Sequence, residues 1–357
     1  MNSNEAYDSL VERLGHKGSS RLKLVMEDLM TPDQVVIVAA LSASPEEVAE
    51  KTGFDIEKVK ETLDEMFFKG VVFPKGDFRN RVYYHFARAD GQFFESVQAR
   101  FQRVPAENTK FFKLMKDWSM NEYYPKWAGF NNSNETPNLR VIPAYKSIKD
   151  LPDVLPEENY HEILRAQKQI STVPCGCRYM EAGAGHSCET HDEEAHPVCF
   201  QFGRGADYAV ASESGRGLSV DEAIELADLS EDNGLIHSYN NHTGIVGPHT
   251  SCNCCRDCCM IIIPMEMEGY PLNKAWSKSR FVPHVILDDC VGCQDCVDRC
   301  PLDAIEMAKP EGSKKYKAVV DGEKCFGCGV CVVGCEAEAL KMKAVRPPDH
   351  IPPGPGA

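Results

Sequence analysis

The residues best suited to chemistry in this chain are its cysteines, 17 in number, none before Cys175 and none after Cys335. Eight of them form two runs with one spacing. Cys290, Cys293, Cys296 and Cys300 read C-x2-C-x2-C-x3-C, with Pro301 next; Cys325, Cys328, Cys331 and Cys335 repeat the spacing 35 residues on. A two-residue gap lets a tight loop present thiolates on one side, so three from each run can wrap three irons of a cube. In two-cluster arrangements the fourth thiolate of such a run ligates the other cluster. The expected sets are therefore Cys290, Cys293, Cys296 and Cys335 for one cluster, and Cys325, Cys328, Cys331 and Cys300 for the other. Two four-thiolate zinc sites are the competing reading, but zinc ribbons pair C-x2-C knuckles and do not use triple runs. A cube cycles by one electron, so this segment reads as a relay.

Over residues 285–345 the chain resembles the bacterial 2[4Fe–4S] ferredoxins. The halves ILDDCVGCQDCVDRCPLDAIEM and VVDGEKCFGCGVCVVGCEAEALKM echo one another, and Gly292, Gly327 and Gly329 suit loops whose N–H groups point at cluster sulfur. One departure is Glu336, which follows Cys335 where Pro301 follows Cys300.

The other nine cysteines lie between 175 and 259: Cys175, Cys177, Cys188 and Cys199, then Cys252, Cys254, Cys255, Cys258 and Cys259. Adjacent residues rarely present both side chains to one metal. Choosing one from each adjacent pair gives Cys252, Cys255 and Cys258 the cluster-loop spacing again; sets with Cys254 or Cys259 stay open. The simplest partition gives one further [4Fe–4S] cluster Cys175, Cys177, Cys188 and Cys199, and another four of the remaining five. Cross-ligation between the groups is equally allowed. One or two further clusters are expected. Zinc at Cys188, His191, His196 and Cys199 is an alternative; the plainer reading leaves His191 and His196 solvated in an acidic loop with Asp192, Glu193 and Glu194.

The elements that must position these groups suggest an α+β chain. Residues 1–90 are expected to hold a winged helix: Pro32 to Leu41, a helix opened by Ser44-Pro45-Glu46-Glu47 and stopped at Gly53, a third over 55–69, and two strands around a turn. Helices near 91–102 and 107–119 and the polar linker 131–138 follow as a connection over 91–138. A central cysteine-rich α+β domain is expected over 139–284, with a strand at Leu139 to Ala144, a helix from Glu157 to Ile170, and a Ser219-x-x-Glu222 capping box opening a helix that Asn233-Gly234 closes. The ferredoxin-like two-cluster domain spans 285–345, and the Pro/Gly-rich tail 346–357 is expected to be disordered.

Net charge is −15, which disfavours nucleic acid and anionic membranes as partners and suits a carrier docking on a basic surface. The third helix of the winged-helix segment sets three lysines against Asp55, Glu57, Glu61, Asp64 and Glu65, a poor balance for contacting phosphates. No 18-residue apolar run is present. The first residues lack a basic n-region with an apolar stretch, so a cytoplasmic location is expected. There is no Walker A sequence, GxSxG, HExxH or dinucleotide fingerprint. GRG at 203–205 reads as a turn. Arg178, His237, His242 or a surplus cysteine are the candidates for a proton donor or substrate contact.

From about residue 140 onward the chain resembles a group of 4Fe–4S binding proteins of anaerobes, on VPCGCR, FGRGADYAV, SVDEAIELADLSEDNGLIH and CNCCRDCC. The resemblance implies an iron–sulfur oxidoreductase or electron-transfer subunit. The expected function is single-electron relay through several [4Fe–4S] clusters to or from a catalytic partner or larger oxidoreductase complex. Alternatives are a stand-alone reductase with a substrate site at the central cysteines, and a redox-sensing transcriptional regulator.

Overall fold

Polar caps set the start of each early helix. In a computed structural model that describes residues 1–101, 109–193, 195–242, 246, 250–310 and 315–352, α1 (Ser3–Arg13), α2 (Ser20–Leu29), α3 (Pro32–Ala39), α4 (Pro45–Thr52) and α5 (Ile56–Phe68) begin behind Asn2, Ser19, Thr31, Ser44 and Asp55. Each of these side chains accepts an N–H from the first turn of its helix. An antiparallel pair follows, β1 (Val72–Pro74) and β2 (Tyr84–Phe86). Three helices and a hairpin thus occur in the order expected for this stretch; α1 and α2, which precede them, were not foreseen. The three lysines of the α5 segment are all tied to carboxylates: Lys58 to Asp33, Lys60 to Glu57 and Lys69 to Glu65.

The helices α6 (Asp90–Ala99), α7 (Thr109–Trp118) and α8 (Tyr124–Ser133), the last two joined by a π-turn over Ser119–Tyr123, extend the helical part. Residue 102 of the first expected helix and residues 107 and 108 of the second lie outside the described residues. One apolar core runs from Ala6 to Tyr124 and takes in Tyr179, Met180 and Met260, so packing does not break at residue 90. α8 also occupies the first residues of the expected linker.

A seven-stranded sheet organises the middle of the chain. Its strands are β3 (Leu139–Ile142), β4 (Ile170–Val173), β5 (Cys199–Phe202), β6 (Arg216–Leu218), β7 (Ile236–Asn240), β8 (Thr250–Cys254) and β9 (Trp276–Ser277), in the order β6-β4-β5-β8-β7-β3-β9. All pairs are antiparallel except β3 with β9. Interleaved with them are α9 (Tyr145–Ile148), α10 (Tyr160–Arg165), α11 (Gly176–Gly183), α12 (Arg204–Ala211), α13 (Val220–Asp232) and α14 (Ile262–Met267). The helix expected over 157–170 is shorter. Asn159 caps it at Glu162, and Ile170 is already a strand residue paired with Phe202 and Leu218. α13 carries the Ser219–Glu222 box as expected.

The C-terminal part contains β10 (Phe281–Val285), α15 (Asp295–Asp298), β11 (Ile305–Ala308), β12 (Lys317–Val320), α16 (Val330–Val333) and β13 (Leu340–Ala344). β10 pairs with β13 and β11 with β12, both antiparallel. The internal repeat is visible in the backbone: Gly292, Gln294 and Asp303 take left-handed conformations, as do Gly327, Gly329 and Glu338. The tail departs from the expectation of disorder through residue 352. His350 contacts the carbonyl of Lys278 at 2.9 Å, Arg346 donates to the carbonyl of Ser279, and Pro348–His350 form a short 3-10 turn. Residues 353–357 lie outside the described residues. Mixed helix and sheet make this an α+β chain, and among the described residues no helix is long and apolar enough to cross a membrane.

Candidate metal centres

The two C-terminal cysteine runs end up around two separate small cavities. Cys290, Cys293, Cys296 and Cys335 line one; Cys300, Cys325, Cys328 and Cys331 line the other. Each cavity measures about 20 Å³. The fourth cysteine of each run thus lines the other run's cavity.

Both loops are shaped by residues that tolerate a left-handed backbone. A Cβ on Gly327 (φ +72°) would sit 2.1 Å from the carbonyl oxygen of Phe281, and one on Gly292 (φ +79°) 2.5 Å from that of Tyr316. Only glycine fits both the conformation and the space. The chain then aims donors inward: Gly327 N–H lies 3.3 Å from Cys325 Sγ and Ala304 N–H 3.3 Å from Cys300 Sγ.

The thiols of each set also repel one another when ionised. Burial, then the charges of Cys293, Cys335 and Cys290, push Cys296 up to about 11. Burial, and after it the charges of Cys325 and Cys300 against a helping N–H from Val330, push Cys328 up to about 12. Four crowded thiolates with inward N–H donors need a positive core to stay ionised, and an iron–sulfur cube supplies it. The residues present fit that group.

The nine central cysteines sort differently. Cys188 Sγ lies 3.6 Å from Cys255 Sγ and 3.8 Å from Asp257 Oδ1, and these three with Cys258 lie within 4.8 Å of one another. The other six stand in a chain of neighbours. Cys175 is beside Cys177, Cys177 interacts with Cys259, Cys259 is beside Cys254, Cys254 beside Cys252, and Cys252 beside Cys199. The grouping of Cys175, Cys177, Cys188 and Cys199 is therefore not what the structure brings together, and the five cysteines of 252–259 are divided. The reason is the strand. Side chains alternate along β8, so Cys252 and Cys254 share a face, while Cys255 follows the strand's end and turns to the other side. Each adjacent pair, 254/255 and 258/259, is split between the two groups.

The alternative zinc set does not assemble either. His191 Nε2 contacts the carbonyl of His196 at 2.7 Å and its Nδ1 contacts Asn233 at 2.8 Å, so both ring nitrogens are engaged. His196 is exposed, and Cys188 and Cys199 belong to different groups. Nor is the loop plainly solvated, since His191 and Glu193 are buried.

A cavity of about 610 Å³ is lined by the six thiols and, from the other group, by Cys255 and Cys258. Its floor is the cysteine face of the sheet, and its opposite wall comes from α6 and the β1–β2 hairpin. Tyr208 of α12 fastens the two walls, its ring 5.1 to 5.6 Å from those of Phe67, Phe73 and Phe78. Such pairs contribute on the order of 0.5–1.5 kcal/mol each. Arg79 to Asp207 at 2.6 Å and Arg204 to the carbonyl of Gly76 at 2.8 Å close the same seam.

Two of the residues proposed for proton or substrate work have structural partners. Arg178, 2 % exposed, pairs with Glu193 at 2.6 Å and donates to the carbonyl of Asn253. Glu193 in turn accepts the Cys175 N–H at 2.8 Å; burial raises its carboxyl to about 8, the Cys175 charge adds to this, and Arg178 opposes it. His237 is held between Asn253 and Glu231 and stacks on Tyr160. His242 is exposed. The residue that the sequence did not single out is Glu95. It lines the cavity from α6 and has no hydrogen bond or ion pair among the described residues. Its side chain is exposed, and desolvation at the cavity followed by the Cys252 charge raises its carboxyl to about 7. The accessible surface faces the cavity. A single glutamate on an amphipathic helix carries no signal in sequence that would find it.

No curated protein and no solved structure matches the chain. Residues 289–339 match the family described as 4Fe-4S dicluster domain, and the C-terminal part of this chain, with its two four-cysteine cavities, is such a domain.

Proposed function

We propose that the protein is a single-electron relay in which the two cubes of the dicluster domain exchange electrons with a third [4Fe–4S] cluster held by four of Cys175, Cys177, Cys199, Cys252, Cys254 and Cys259, on the way to or from a protein redox partner. One observation carries this reading. Cys328 of the dicluster domain and Cys252, Cys254 and Cys259 of the central group pack into one apolar cluster with Trp276 and Phe326, whose rings lie 6.5 Å apart. Cys290, Cys296, Cys300, Cys331 and Cys335 share a second apolar cluster. Three thiolate sites thus follow one another through apolar packing, which suits electron transfer between neighbouring centres. Clusters bound there would supply one-electron steps, and the chain holds their thiolate sites next to one another.

The two units are also fastened. Ala144 N–H donates to the carbonyl of Cys328 at 2.8 Å. Arg299 donates to the carbonyls of Val330, Glu231 and Asp232, the last two at the C-terminal end of α13, where a cation is favoured. Anaerobic iron and sulfide analysis tests the proposal: about twelve irons are expected, eight of them in the dicluster domain. A value of eight or fewer removes the central cluster and the relay with it.

A second reading, reduction of a substrate at the central cluster, is favoured by the cavity. At about 610 Å³ the central cavity is in the size range of small-molecule sites, whereas each dicluster cavity is far smaller. Phe94, Trp127 and Tyr208 give it an apolar lining, Glu95 stands inside, and His85, Arg88 and Arg204 stand together along it. A small organic anion suits such a space. Its test is the EPR spectrum of the reduced protein with benzoate added: a saturable change in one cluster's signal supports a substrate site, and none across small carboxylates removes it.

A further inference from the structure

The group formed by Cys188, Cys255, Asp257 and Cys258 differs in kind from the other thiolate sets. Among the described residues it is the one place where three or more potential ligand atoms of His, Cys, Asp or Glu lie within 4.8 Å of one another. The dicluster domain provides the comparison, because its eight cysteines form no such group although they line two cavities suited to cubes. A cube carries its four thiolates on four separate irons and holds them apart. A single ion draws them together.

The distances decide between these. A tetrahedral zinc with Zn–S near 2.3 Å sets its sulfurs about 3.8 Å apart, and a sulfur and a carboxylate oxygen about 3.6 Å apart. Here Cys188 and Cys255 are separated by 3.6 Å and Cys188 Sγ and Asp257 Oδ1 by 3.8 Å. We propose that Cys188, Cys255 and Cys258, with Asp257 Oδ1, form a closed mononuclear site for zinc, distinct from the iron–sulfur centres.

Three further features fit. Cys255 and Cys258 form a C-x2-C knuckle, which presents two sulfurs to one ion, and Cys188 comes from a distant loop to complete a third corner. Asp257 is oriented by its surroundings: Oδ2 accepts the Glu189 N–H at 3.1 Å and lies 3.7 Å from His186 Nε2, leaving Oδ1 turned toward the sulfurs. Carboxylate ligands are commonly held this way by groups behind them. The charge is also matched. Three thiolates, a carboxylate and a divalent ion sum to an excess of negative charge, and the guanidinium of Arg178 faces Cys188 and Cys255 from inside the protein. Cys258 is fully buried and Cys255 2 % exposed, while Cys188 and Asp257 are half-buried; the four protein ligands complete a tetrahedron, so a ligand from solvent is not needed and the site holds structure together instead of binding substrate. It would staple the loop of 186–189 to the end of β8.

The full-length protein, purified anaerobically without chelator, tests this. About one zinc per chain is expected beside about twelve irons. X-ray absorption at the zinc edge should give three sulfurs near 2.3 Å and one oxygen at about 2.0–2.2 Å. Asp257→Cys should raise the sulfur number from three to four while iron content stays the same, a change that a merely structural role for Asp257 does not produce. Absence of zinc with about sixteen irons would assign these thiols to a fourth cube and overturn the proposal, as would a zinc shell that lacks sulfur or is unchanged in Asp257→Cys. Failure of the central-cluster reading is separate, since it appears in the iron number and leaves the zinc edge as stated.

Discussion

The dicluster domain and the central cysteine region use thiolates in opposite ways. In the first, eight cysteines come from two short loops, each set has a small cavity to itself, and Cys293 remains exposed. In the second, nine cysteines converge from the start of α11, the loop at 188, β5, β8 and the turn after it, and Cys254, Cys255, Cys258 and Cys259 are all buried. The first is a local design that one loop repeated twice can specify. The second depends on the whole sheet being assembled, so its thiol groups form only together with the fold.

Single-cysteine variants probe this contrast most strongly. Cys331→Ser is expected to remove about four irons, leaving the rest of the chain folded by circular dichroism and the central cluster's EPR signal in place. Cys254→Ser is expected to remove a similar number from the centre and leave the dicluster signals intact. Loss of all iron in either variant would mean that the two regions are not separable. Next in size is Gly327→Ala, whose Cβ meets the Phe281 carbonyl at 2.1 Å with φ at +72°; roughly 3 kcal/mol of stability should be lost. Gly76, also left-handed but with nothing within 4 Å, should cost only about 1 kcal/mol as alanine. Equal losses in urea unfolding would show that space around the cluster loop is not limiting.

Arg299→Ala tests the seam between the regions. It removes donors to Val330, Glu231 and Asp232, and about 1–3 kcal/mol should go, with faster proteolysis between 285 and 345 than in the native protein. The smallest effect is expected for Glu95→Gln. The Glu95 carboxyl is raised from 4.5 to about 7, so the folded state holds its proton more tightly than the unfolded chain and stability falls as pH rises through that window. The variant should be more stable than the native protein above pH 7 and lose that advantage below about pH 4.5. A parallel shift at both ends would place Glu95 outside the cavity's influence.

What was legible in the sequence follows the same contrast. The spacing of Cys290 to Cys335 led to the same two groups that line the two cavities, because three of four members of each group sit on one loop. The helix starts at Ser44 and Ser219 were readable for a similar reason, since a cap and its partner are three residues apart. The central partition was not readable. Whether Cys188 meets Cys199 or Cys255 depends on β5 lying next to β8 in the sheet, and spacing along the chain does not encode strand order. The helix expected to reach Ile170 fails on the same ground, because sheet pairing took its last residues. Glu95 was invisible because its role comes from what faces α6 across a cavity.

The alternation along β8 has an outcome for how this chain can change. Cys252 and Cys254 belong to one thiol group, Cys255 and Cys258 to the other, and all four follow one another along a single stretch of backbone. Deleting or inserting one residue there would displace members of both groups at once. Neither centre can then be altered by sliding the chain without spoiling its neighbour, so variation in this segment is confined to what each position carries.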